Sequence, residues 1–382
     1  MTILFVTHYA GFYGANKSLL TLMQLLRERH QVRPLVLLPS EGEMCARVRE
    51  AGIDYKVEHY YWWVNYNHGV WQWLLNKRKQ LINYLRVRHL CSLYKGENID
   101  MVYSNSVCVN VGLLMAKRFG LPHIWQARES LSQFSLSLSL SLGMSKRLWA
   151  DPVTKCHIMI SDYMMHYYSR YMPQERMVRV YNGVSLPAGV KRKEPNMLLG
   201  RLQVACVGIV GEQKNQMELL RAQLLLHQQG VDIDTWILGS PTEPYFAHLL
   251  DYVEQNGLKE YVHLMGHTAD VWKVLQRMNL GVVCARDEAF GRVTVEYMLM
   301  QMPVVVADSG ANKELVEEGV TGEVYRLGDA EQLAQKIRQY AEMPKLLVSQ
   351  GNAAEQKAKR EFSAELNAEQ IYKCIINLIH NS

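Results

Sequence analysis

Two glutamates, Glu288 and Glu296, stand eight positions apart where a predicted strand passes into a predicted helix. The strand is the apolar run 280–284, and the helical pattern after it ends near Gln301. Open α/β sheets bind ligands beyond the carboxyl ends of their strands, and the free N–H groups at a helix start attract anions. A carboxylate on the loop suits sugar hydroxyls, and one a turn into the helix suits the two hydroxyls of a ribose. By spacing alone, ordinary acidic residues near a helix start would be the better explanation.

The two glutamates are accompanied by glycines, a lysine and small polar residues in a characteristic order. The ordered set closely resembles the nucleotide-binding half of the retaining GT-B glycosyltransferases of family 4, the glycosyl transferases group 1. The resemblance is strong over residues 200–345 and weaker over the first half, where it rests on Gly14 and 180–184. The matching positions, besides the E-x7-E spacing of the glutamates, are 207–216, 264–267, Pro303, Asp308-Ser309-Gly310, Glu314-Leu315 and Thr321-Gly322.

The resemblance implies an α/β protein of GT-B fold, in which two Rossmann-like domains face each other across a cleft. It also implies an enzyme that moves a sugar, with retention of configuration, to a hydroxyl of a glycan or lipid-linked acceptor in cell-surface polysaccharide biosynthesis. The donor would be a nucleoside-diphosphate sugar, UDP- or GDP-linked, and no cofactor is expected beside this substrate. The residues expected to bind the donor are Gly14, Lys214, Glu288, Phe290, Gly291, Arg292 and Glu296.

Within this set, the resemblance implies that Glu296 binds the ribose, Lys214 the diphosphate and Glu288 the transferred sugar. It also implies that Lys214 and Glu288 are catalytic residues. Charge builds up on the leaving diphosphate in such a reaction, so fixed cations and helix starts would stabilise its transition state. The family usually has an arginine where this chain has Ile209. We therefore expect Lys214 to act alone or with a basic group elsewhere in the chain.

No metal ion is expected at this site. Asp232-Ile233-Asp234 has the form of the Asp-x-Asp motif with which other glycosyltransferases hold a metal–diphosphate complex. The motif precedes the predicted strand 235–238, which places it at the amino end of the sheet and away from the ligand-binding edge. We therefore predict that transfer is independent of divalent metal.

The loop after the first predicted strand is a second candidate region, and it contains His8, Gly14 and Asn16. Gly14 would let a phosphate approach the backbone closely, although a simple tight turn is an equally good explanation. His8 and Asn16 are candidates for the acceptor side of the site. A structural histidine at a strand end is at least as compatible with the sequence at His8.

Arg128 and Glu129 follow the predicted strand 124–126. By resemblance, the family commonly has a histidine near the end of this strand, and Arg128 takes its place. We expect the pair to face the acceptor or the donor sugar, with Arg128 as a catalytic residue. A plain surface ion pair is the alternative.

Two other functions remain open at this point. A nicotinamide-dependent oxidoreductase would need G-x-G-x-x-G after the first strand and an acidic residue at the end of the second. The loop has only Gly11 and Gly14, and Pro39 and Ser40 follow the second strand. A catalytically inactive binding protein that resembles a glycosyltransferase is compatible with the missing arginine at Ile209.

The elements that must position these residues alternate between short apolar runs and amphipathic helical patterns, which indicates βαβ units and parallel sheets. A polar stretch at 188–195 separates two such series. We therefore predict an N-terminal acceptor-binding domain over 1–187, a C-terminal nucleotide-sugar-binding domain over 188–363, and a terminal helix over 364–382 that could pack back on the first domain. Serine alternates with leucine or phenylalanine over 132–141, which fits either a strand or a mobile flap.

The composition is that of a globular chain, because 48% of its 382 residues are hydrophobic and 21% are charged, which excludes a disordered or fibrous protein. The sequence contains no apolar run of about 18 residues, so a membrane-spanning helix is not expected. The seven cysteines form no C-x-x-C pair, and several lie in apolar runs. Reduced core cysteines and a cytoplasmic location are therefore expected.

Charge is distributed unevenly along the chain. Residues 1–187 contain 22 Lys and Arg against 12 Asp and Glu, a balance of +10, and the remainder contains 20 against 25, a balance of −5. Residues 59–96 contain no acid, six Lys or Arg and four of the eight tryptophans. We predict that this stretch holds the enzyme on an anionic membrane surface, peripheral on the cytoplasmic face. A helix with a solvated basic face is the alternative, and no nucleic-acid partner is expected.

Overall fold

The computed structural model describes residues 1–65, 70–131, 137–138, 142–187, 189–190, 200–268 and 270–380. The chain divides into two compact units, one formed by Met1–Gly183 with Ala364–Ser382 and the other by Val184–Ser363. The division lies a few residues before the boundary drawn from the sequence at 187. Each unit is built on one large parallel sheet with helices connecting the strands.

The first unit contains seven strands of a single parallel sheet and one short antiparallel pair. The strands are β1 (Thr2–Val6), β2 (Arg33–Leu38), β3 (Asp54–Val57), β4 (Val64–Asn65), β5 (Met101–Ser104), β6 (His123–Ala127), β7 (Ser137–Leu138), β8 (Thr154–Met159) and β9 (Met177–Arg179). The sheet has the order β3-β2-β1-β5-β6-β8-β9, and β4 pairs with β7. Alternate residues of β1 enter two different clusters, Ile3 and Phe5 in one and Leu4 and Val6 in the other, because successive side chains of a strand point to opposite faces.

The helices of the first unit cover the two faces of that sheet. In chain order they are α1 (Gly14–His30), α2 (Glu43–Glu50), α3 (Val70–Ser92), α4 (Val111–Phe119), α5 (Leu142–Trp149) and α6 (Asp162–Tyr168). Among the described residues, no helix is both long and apolar enough to cross a membrane.

The second unit has one six-stranded parallel sheet with the order β12-β11-β10-β13-β14-β15, from β10 (Leu202–Val207), β11 (Ile233–Leu238), β12 (Val262–Gly266), β13 (Leu280–Val283), β14 (Val304–Ala307) and β15 (Gly322–Tyr325). Its helices are α7 (Gln216–Gln228), α8 (Tyr245–Gln255), α9 (Val271–Leu275), α10 (Arg292–Leu299), α11 (Asn312–Leu315), α12 (Ala330–Glu342) and α13 (Lys345–Glu361). The strands β13 and β14 are buried along their whole length, as expected of a parallel sheet covered on both faces.

The last helix, α14 (Ala364–His380), packs against α1 and so belongs to the first unit. Ile371 and Ile375 are fully buried in the same cluster as the leucines of α1. The amide of Asn367 donates to the carbonyl of Tyr181 at 2.6 Å. A Cβ atom at Gly183 would lie only 2.6 Å from the Cα of Ala364, so the close approach of the chain to α14 requires glycine.

Two further details concern short segments of the first unit. Strand β9 ends at Arg179, and the Tyr181 carbonyl beyond it lies outside the sheet and accepts from α14. Within 132–141, Ser137–Leu138 is a short strand, and the other residues of that stretch lie outside the described part of the chain.

Two of the four tryptophans of 59–96 are structural. Trp63 is fully buried, with its ring 5.9 Å from that of Trp125 and 5.3 Å from that of Trp149. Trp62 donates its indole N–H to the carbonyl of His8. Trp63 is therefore part of the interior of the first unit, and Trp62 is partly buried and packs against that interior. The side chains of the other two tryptophans lie outside the described residues.

Candidate active site

In the sheet of the second unit, the strand order reverses next to β10. The chain moves outward from β10 to β11 and β12 and then returns to form β13 on the other side of β10. The loops that follow β10 and β13 therefore leave neighbouring strands at the same edge, which is where open α/β sheets bind ligands. Lys214 is on the first loop and Glu288 on the second, 74 residues apart in the sequence.

Lys214 and Glu288 form an ion pair at this point, with Nζ donating to Oε2 at 2.5 Å. Their side chains are only 29% and 14% exposed. The stem of Lys214 runs along the backbone of Gly208, where a Cβ would lie 3.6 Å from Cγ and Cε of the lysine. The lysine is therefore neither a freely solvated cation nor separate from the first glutamate of the E-x7-E pair.

The loop that carries Glu288 is held by the loop that follows β14. The N–H of Ala311 donates to the Glu288 carbonyl at 2.7 Å, and the N–H of Asp287 donates to Oγ of Ser309 at 2.9 Å. Gly310 has φ +60°, and a Cβ there would clash with the backbone of Glu288. Ser309 and Gly310 of the matching Asp308-Ser309-Gly310 segment thus hold the loop that carries Glu288.

Helix α10 begins beside this loop without a side-chain cap. Its N-cap is Gly291, with φ +88°, which has no side chain that could cap the first turn. A Cβ at Gly291 would lie 2.8 Å from Oδ1 of Asn312, so the loop needs a glycine at this position. Phe290 is buried, with its ring centroid 6.0 Å from that of Phe362. The N–H groups of such a helix start favour an anion.

Glu296 lies just over one turn into α10 and pairs with Arg292. The guanidinium Nε donates to Oε1 at 2.9 Å, and the two side chains are 14% and 20% exposed. Ion pairs of this i,i+4 kind stabilise a helix by only about 0.2–0.5 kcal/mol. The contact therefore orients the carboxylate without holding it so tightly that a hydroxyl could not compete.

Arg286 is a cation that the sequence analysis did not single out. Its backbone N–H donates to the carbonyl of Gln213 at 2.8 Å, and Nη2 of its guanidinium donates to Oδ1 of Asn215 at 3.4 Å. These two partners flank Lys214, so Arg286 brings a second positive charge to the lysine loop. Ile209 is 54% exposed and supplies no charge there. The signal that could have found Arg286 is its place at the carboxyl end of β13, at the start of the motif that contains Glu288.

Asp232 and Asp234 lie at the amino end of β11, at the edge of the sheet opposite to Lys214 and Glu288. Both carboxylates already have side-chain partners. Asp232 lies 2.8 Å from Nδ1 of His227. Asp234 is inside β11, whereas the sequence predicted it just before the strand; it pairs with Arg201 at 3.3 Å and accepts from Gln203 at 2.7 Å. In the part of the chain that the structure describes, no group of three His, Cys, Asp or Glu residues could hold a metal ion.

The sheet of the first unit has a similar reversal between β1 and β5, which pair directly. His8 follows β1, Ser106 follows β5 and Glu129 follows β6, and all three side chains are buried. Nε2 of His8 lies 3.2 Å from Oε1 of Glu129, and Oγ of Ser106 donates to Oε2 at 2.8 Å. Of these residues, Ser106 was not predicted.

Burial shifts both titrating groups of this cluster toward their neutral forms. Desolvation raises the pKa of Glu129 to about 7, although the Ser106 hydroxyl and the charge of Arg128 oppose the shift. Desolvation lowers the pKa of His8 to about 3, and the Arg128 charge lowers it further. His8 is therefore neutral near pH 7, where Glu129 exchanges its proton. Nδ1 of His8 has no hydrogen-bond partner among the described residues.

Arg128 is 7% exposed and is held by two asparagines that follow strand ends. Nε donates to Oδ1 of Asn105 and Nη1 donates to Oδ1 of Asn182, each at 2.6 Å. A plain surface ion pair with Glu129 is wrong, because both side chains are buried. Asn105 was not predicted, and Asn182 was noted only as part of the matching segment 180–184.

Asn16 and Gly14 lie where β1 turns into α1. Gly14 is the first residue of the helix. The Asn16 amide donates to the carbonyls of Tyr9 at 2.9 Å and Gly11 at 2.7 Å, which closes the loop between the two elements. Since both amide protons are used in this way, Asn16 can meet a ligand only through Oδ1.

The second unit also matches a family of known proteins. Residues 190–357, which contain the loops of Lys214 and Glu288, match the model of the glycosyl transferases group 1. The second unit belongs to the glycosyl transferases group 1. The predicted membership of the glycosyl transferases group 1 is therefore confirmed for this part of the chain.

Curated relatives of this group 1 unit include two mannosyltransferases. The lipopolysaccharide core biosynthesis mannosyltransferase LpcC of Rhizobium leguminosarum bv. viciae is 32% identical over 177 residues, which are 46% of this chain and 50% of LpcC. Human alpha-1,3/1,6-mannosyltransferase ALG2 is 28% identical over 137 residues, 35% of this chain and 33% of ALG2. The chain thus spans half or less of the length of these relatives.

Solved structures resemble the whole chain. HepE of Anabaena, solved with UDP, has a TM-score of 0.79 at 21% identity, with 99% of this chain and 100% of that chain covered. Sucrose-phosphate synthase of Thermosynechococcus elongatus has a TM-score of 0.77 at 14% identity over the full length of both chains. These likenesses confirm the predicted GT-B fold with two Rossmann-like α/β domains. At such low identity they bear on the fold alone.

Proposed function

We propose that this protein is a glycosyltransferase that moves a sugar from a UDP- or GDP-linked donor to a hydroxyl of a glycan or lipid-linked acceptor in cell-surface polysaccharide biosynthesis. The observation that carries the proposal is the meeting of Lys214 and Glu288 at the reversal of the second sheet, inside the group 1 match. Relatives named for lipopolysaccharide core and capsular polysaccharide biosynthesis support the acceptor class. HepE, which has the same fold, was solved with UDP and with UDP-glucose, and we propose a donor of the same class for this protein.

We assign the donor's diphosphate to Lys214, Arg286 and the uncapped start of α10. All three present positive charge or N–H groups at the carboxyl ends of neighbouring strands. Negative charge develops on the diphosphate there as it leaves, and these groups would stabilise it. Glu296, oriented by Arg292, takes the ribose hydroxyls. Glu288 takes hydroxyls of the transferred sugar, and the amides of Phe290 and Gly291 contact sugar or phosphate.

We propose a retaining reaction that needs no divalent metal. The acceptor oxygen bonds to the anomeric carbon on the face from which the diphosphate departs. The bond from that carbon to the diphosphate oxygen breaks, and the acceptor's proton passes to the leaving phosphate. The cations and the helix start replace a metal ion in stabilising the leaving group.

The first unit is assigned to the acceptor. His8, Asn16, Arg128 and Glu129 follow strand ends or lie near them, and we propose that they face the acceptor or the transferred sugar, with Gly14 on the donor side. Arg128 is proposed as a catalytic cation because asparagines on two sides fix its guanidinium. The proposal includes a peripheral position on the cytoplasmic face of an anionic membrane, where a lipid-linked acceptor would be available.

A two-stage experiment tests this function. Nucleotide sugars are first screened by thermal shift, because a ligand of the native state raises the melting temperature. The donor that binds is then assayed for turnover with candidate acceptors in the presence of a chelator. Glu296→Ala should lose both signals, and Glu254→Ala, which removes an exposed carboxylate paired with Lys259, should lose neither.

Each outcome has a separate meaning. Binding without turnover on any acceptor would favour the inactive binding protein over the enzyme. Binding of a nicotinamide cofactor instead of nucleotide sugars would favour the oxidoreductase. Turnover that disappears in chelator and returns with magnesium or manganese would contradict metal independence.

A further inference from the structure

One face of helix α3 exposes a row of large apolar side chains. Leu74, Leu81 and Leu85 are 47%, 58% and 67% exposed. Their spacing of seven and four residues places them along one line of the helix. Leu75 and Tyr84, 48% and 67% exposed, flank this line. We call these five residues the leucine face. Among the described residues, no other helix exposes as many large apolar side chains.

The opposite face of α3 is already used by the first unit. Asn83, Val87 and Leu90 are buried on that side, and α3 packs against α4. The amide of Asn83 donates to the carbonyl of Tyr61 at 2.8 Å, and its Oδ1 accepts from the N–H of the same residue at 2.9 Å. Because this side is fixed by packing and hydrogen bonds, rotation of the helix cannot bury the leucine face.

The leucine face is bordered by cations. Lys77, Arg78 and Arg88 are exposed and lie within about 60° of the leucine line on a helix with 3.6 residues per turn. The acid nearest in sequence before the helix, Glu58, contacts Arg86 at 2.7 Å and His89 at 3.4 Å. Residues 59–96 contain no acid of their own. The surface is thus apolar along its centre and positive on both sides.

This combination selects one class of partner. An anionic bilayer offers apolar depth to leucines and phosphates to the cations that border them, which is the pattern of an interfacial amphipathic helix. A second copy of the chain laid face to face would bring like charges together. A purely apolar protein partner would leave the cations without a counterpart.

We propose that the protein docks on an anionic bilayer through the leucine face of α3. Leu74, Leu81 and Leu85 enter the boundary between headgroups and acyl chains, and the bordering cations contact lipid phosphates. This inference rests on the peripheral position proposed above, and it assigns insertion to the leucines, since Trp62 and Trp63 contact the interior of the unit.

The experiment is co-sedimentation of the full chain with vesicles of phosphatidylcholine alone or mixed with phosphatidylglycerol, at low and high salt. The wild type should bind the mixed vesicles, and binding should weaken with salt. Lys77→Gln, Arg78→Gln and Arg88→Gln together should reduce the partition coefficient by roughly two orders of magnitude. Leu81→Gln with Leu85→Gln should reduce it by roughly tenfold or more, since apolar burial is lost.

Controls separate docking from folding and from donor chemistry. Leu250→Gln removes a leucine that is 47% exposed on α8 of the other unit and should not change vesicle binding. All variants should keep the wild-type circular dichroism and the wild-type thermal shift with a nucleotide sugar. A variant that loses vesicle binding but keeps nucleotide binding has lost docking alone. If the wild type does not bind nucleotide, the proposed function is contradicted instead.

Three results would overturn the inference. The first is a wild type that ignores phosphatidylglycerol vesicles at low salt. The second is unchanged binding after the leucine substitutions, which would leave electrostatic attraction without insertion. The third is a dimer in sedimentation velocity that the leucine substitutions dissociate, which would identify a second copy as the occupant.

Discussion

The amine of Lys214 donates to Oε2 of Glu288 at 2.5 Å, across the loops that leave β10 and β13. The two groups have different proposed partners, a diphosphate for the amine and sugar hydroxyls for the carboxylate. A diphosphate must compete with Glu288 for the lysine, and hydroxyls must compete with the lysine for Glu288. Binding of the two parts of a nucleotide sugar is therefore coupled through one ion pair.

The coupling predicts an unusual effect of Glu288→Gln. The variant should bind UDP or GDP alone roughly threefold to tenfold more tightly, because an ion pair of this exposure contributes about 1 kcal/mol that the diphosphate no longer has to displace. Turnover with the nucleotide sugar should fall, since the sugar loses a charged acceptor. Calorimetric titration of the nucleotide measures the first effect. Equal affinity in the variant and the wild type would show that the pair does not compete with the diphosphate.

Glu296→Ala should act mainly on donor affinity. Two ribose hydroxyls would lose a charged hydrogen-bond acceptor, which corresponds to roughly 10- to 100-fold weaker binding at about 1.5–3 kcal/mol. The melting temperature should change little, because the Arg292 contact is a weak i,i+4 pair. Titration of the nucleoside diphosphate and of the free diphosphate separates the ribose from the phosphate contribution. An equal loss for both ligands would argue against a ribose contact.

Arg286 and Lys214 should together supply the cations of the leaving group. Lys214→Ala and Arg286→Ala should each lower kcat, by roughly 10²- to 10³-fold for a group that stabilises charge in the transition state. Ile209→Arg, which restores the arginine common in the family, should recover part of the activity of Arg286→Ala. Single-turnover kinetics with saturating donor provide the measurement. Wild-type rates in Arg286→Ala would confine the function of Arg286 to holding the loop.

Buried histidines predict a loss of stability in mild acid. Burial lowers the pKa of His8 and His123 to about 3 and that of His157 to about 4. Unfolded histidine titrates near 6.5, so the unfolded chain binds more protons below that pH, and stability falls as the pH decreases from about 6.5 toward 4. In His123→Asn the melting temperature should depend less steeply on pH over this range. An unchanged slope would show that His123 does not contribute.

Glu129 predicts the opposite trend between about pH 4.5 and 7. Its pKa is raised to about 7, so the folded chain holds a proton that the unfolded chain releases near its ordinary pKa of 4.5. The stabilising contribution is complete below about pH 4.5 and is lost as the pH rises through 7. Glu129→Gln should therefore gain melting temperature relative to the wild type above about pH 7. Thermal melts across this range, with Glu254→Gln as an exposed control, measure the difference.

Local patterns in the sequence were enough to predict the alternation of strands and helices, the GT-B fold and the family of the second unit. These features depend on local patterns: apolar runs set the strands, and the ordered motifs around Glu288 and Glu296 carry the resemblance. Lys214 was singled out for the same reason. Each of these signals lies within a few residues of the group that it describes.

Which groups meet and which are buried depends on contacts between distant parts of the chain. Lys214 contacts Glu288, and Arg286 joins the lysine loop, because the strand order places β13 beside β10. The same reversal between β1 and β5 buries Glu129 with His8, where a surface ion pair with Arg128 had been the alternative. Strand order and burial depend on the packing of elements far apart in the chain. No spacing within one segment of the sequence contains that information.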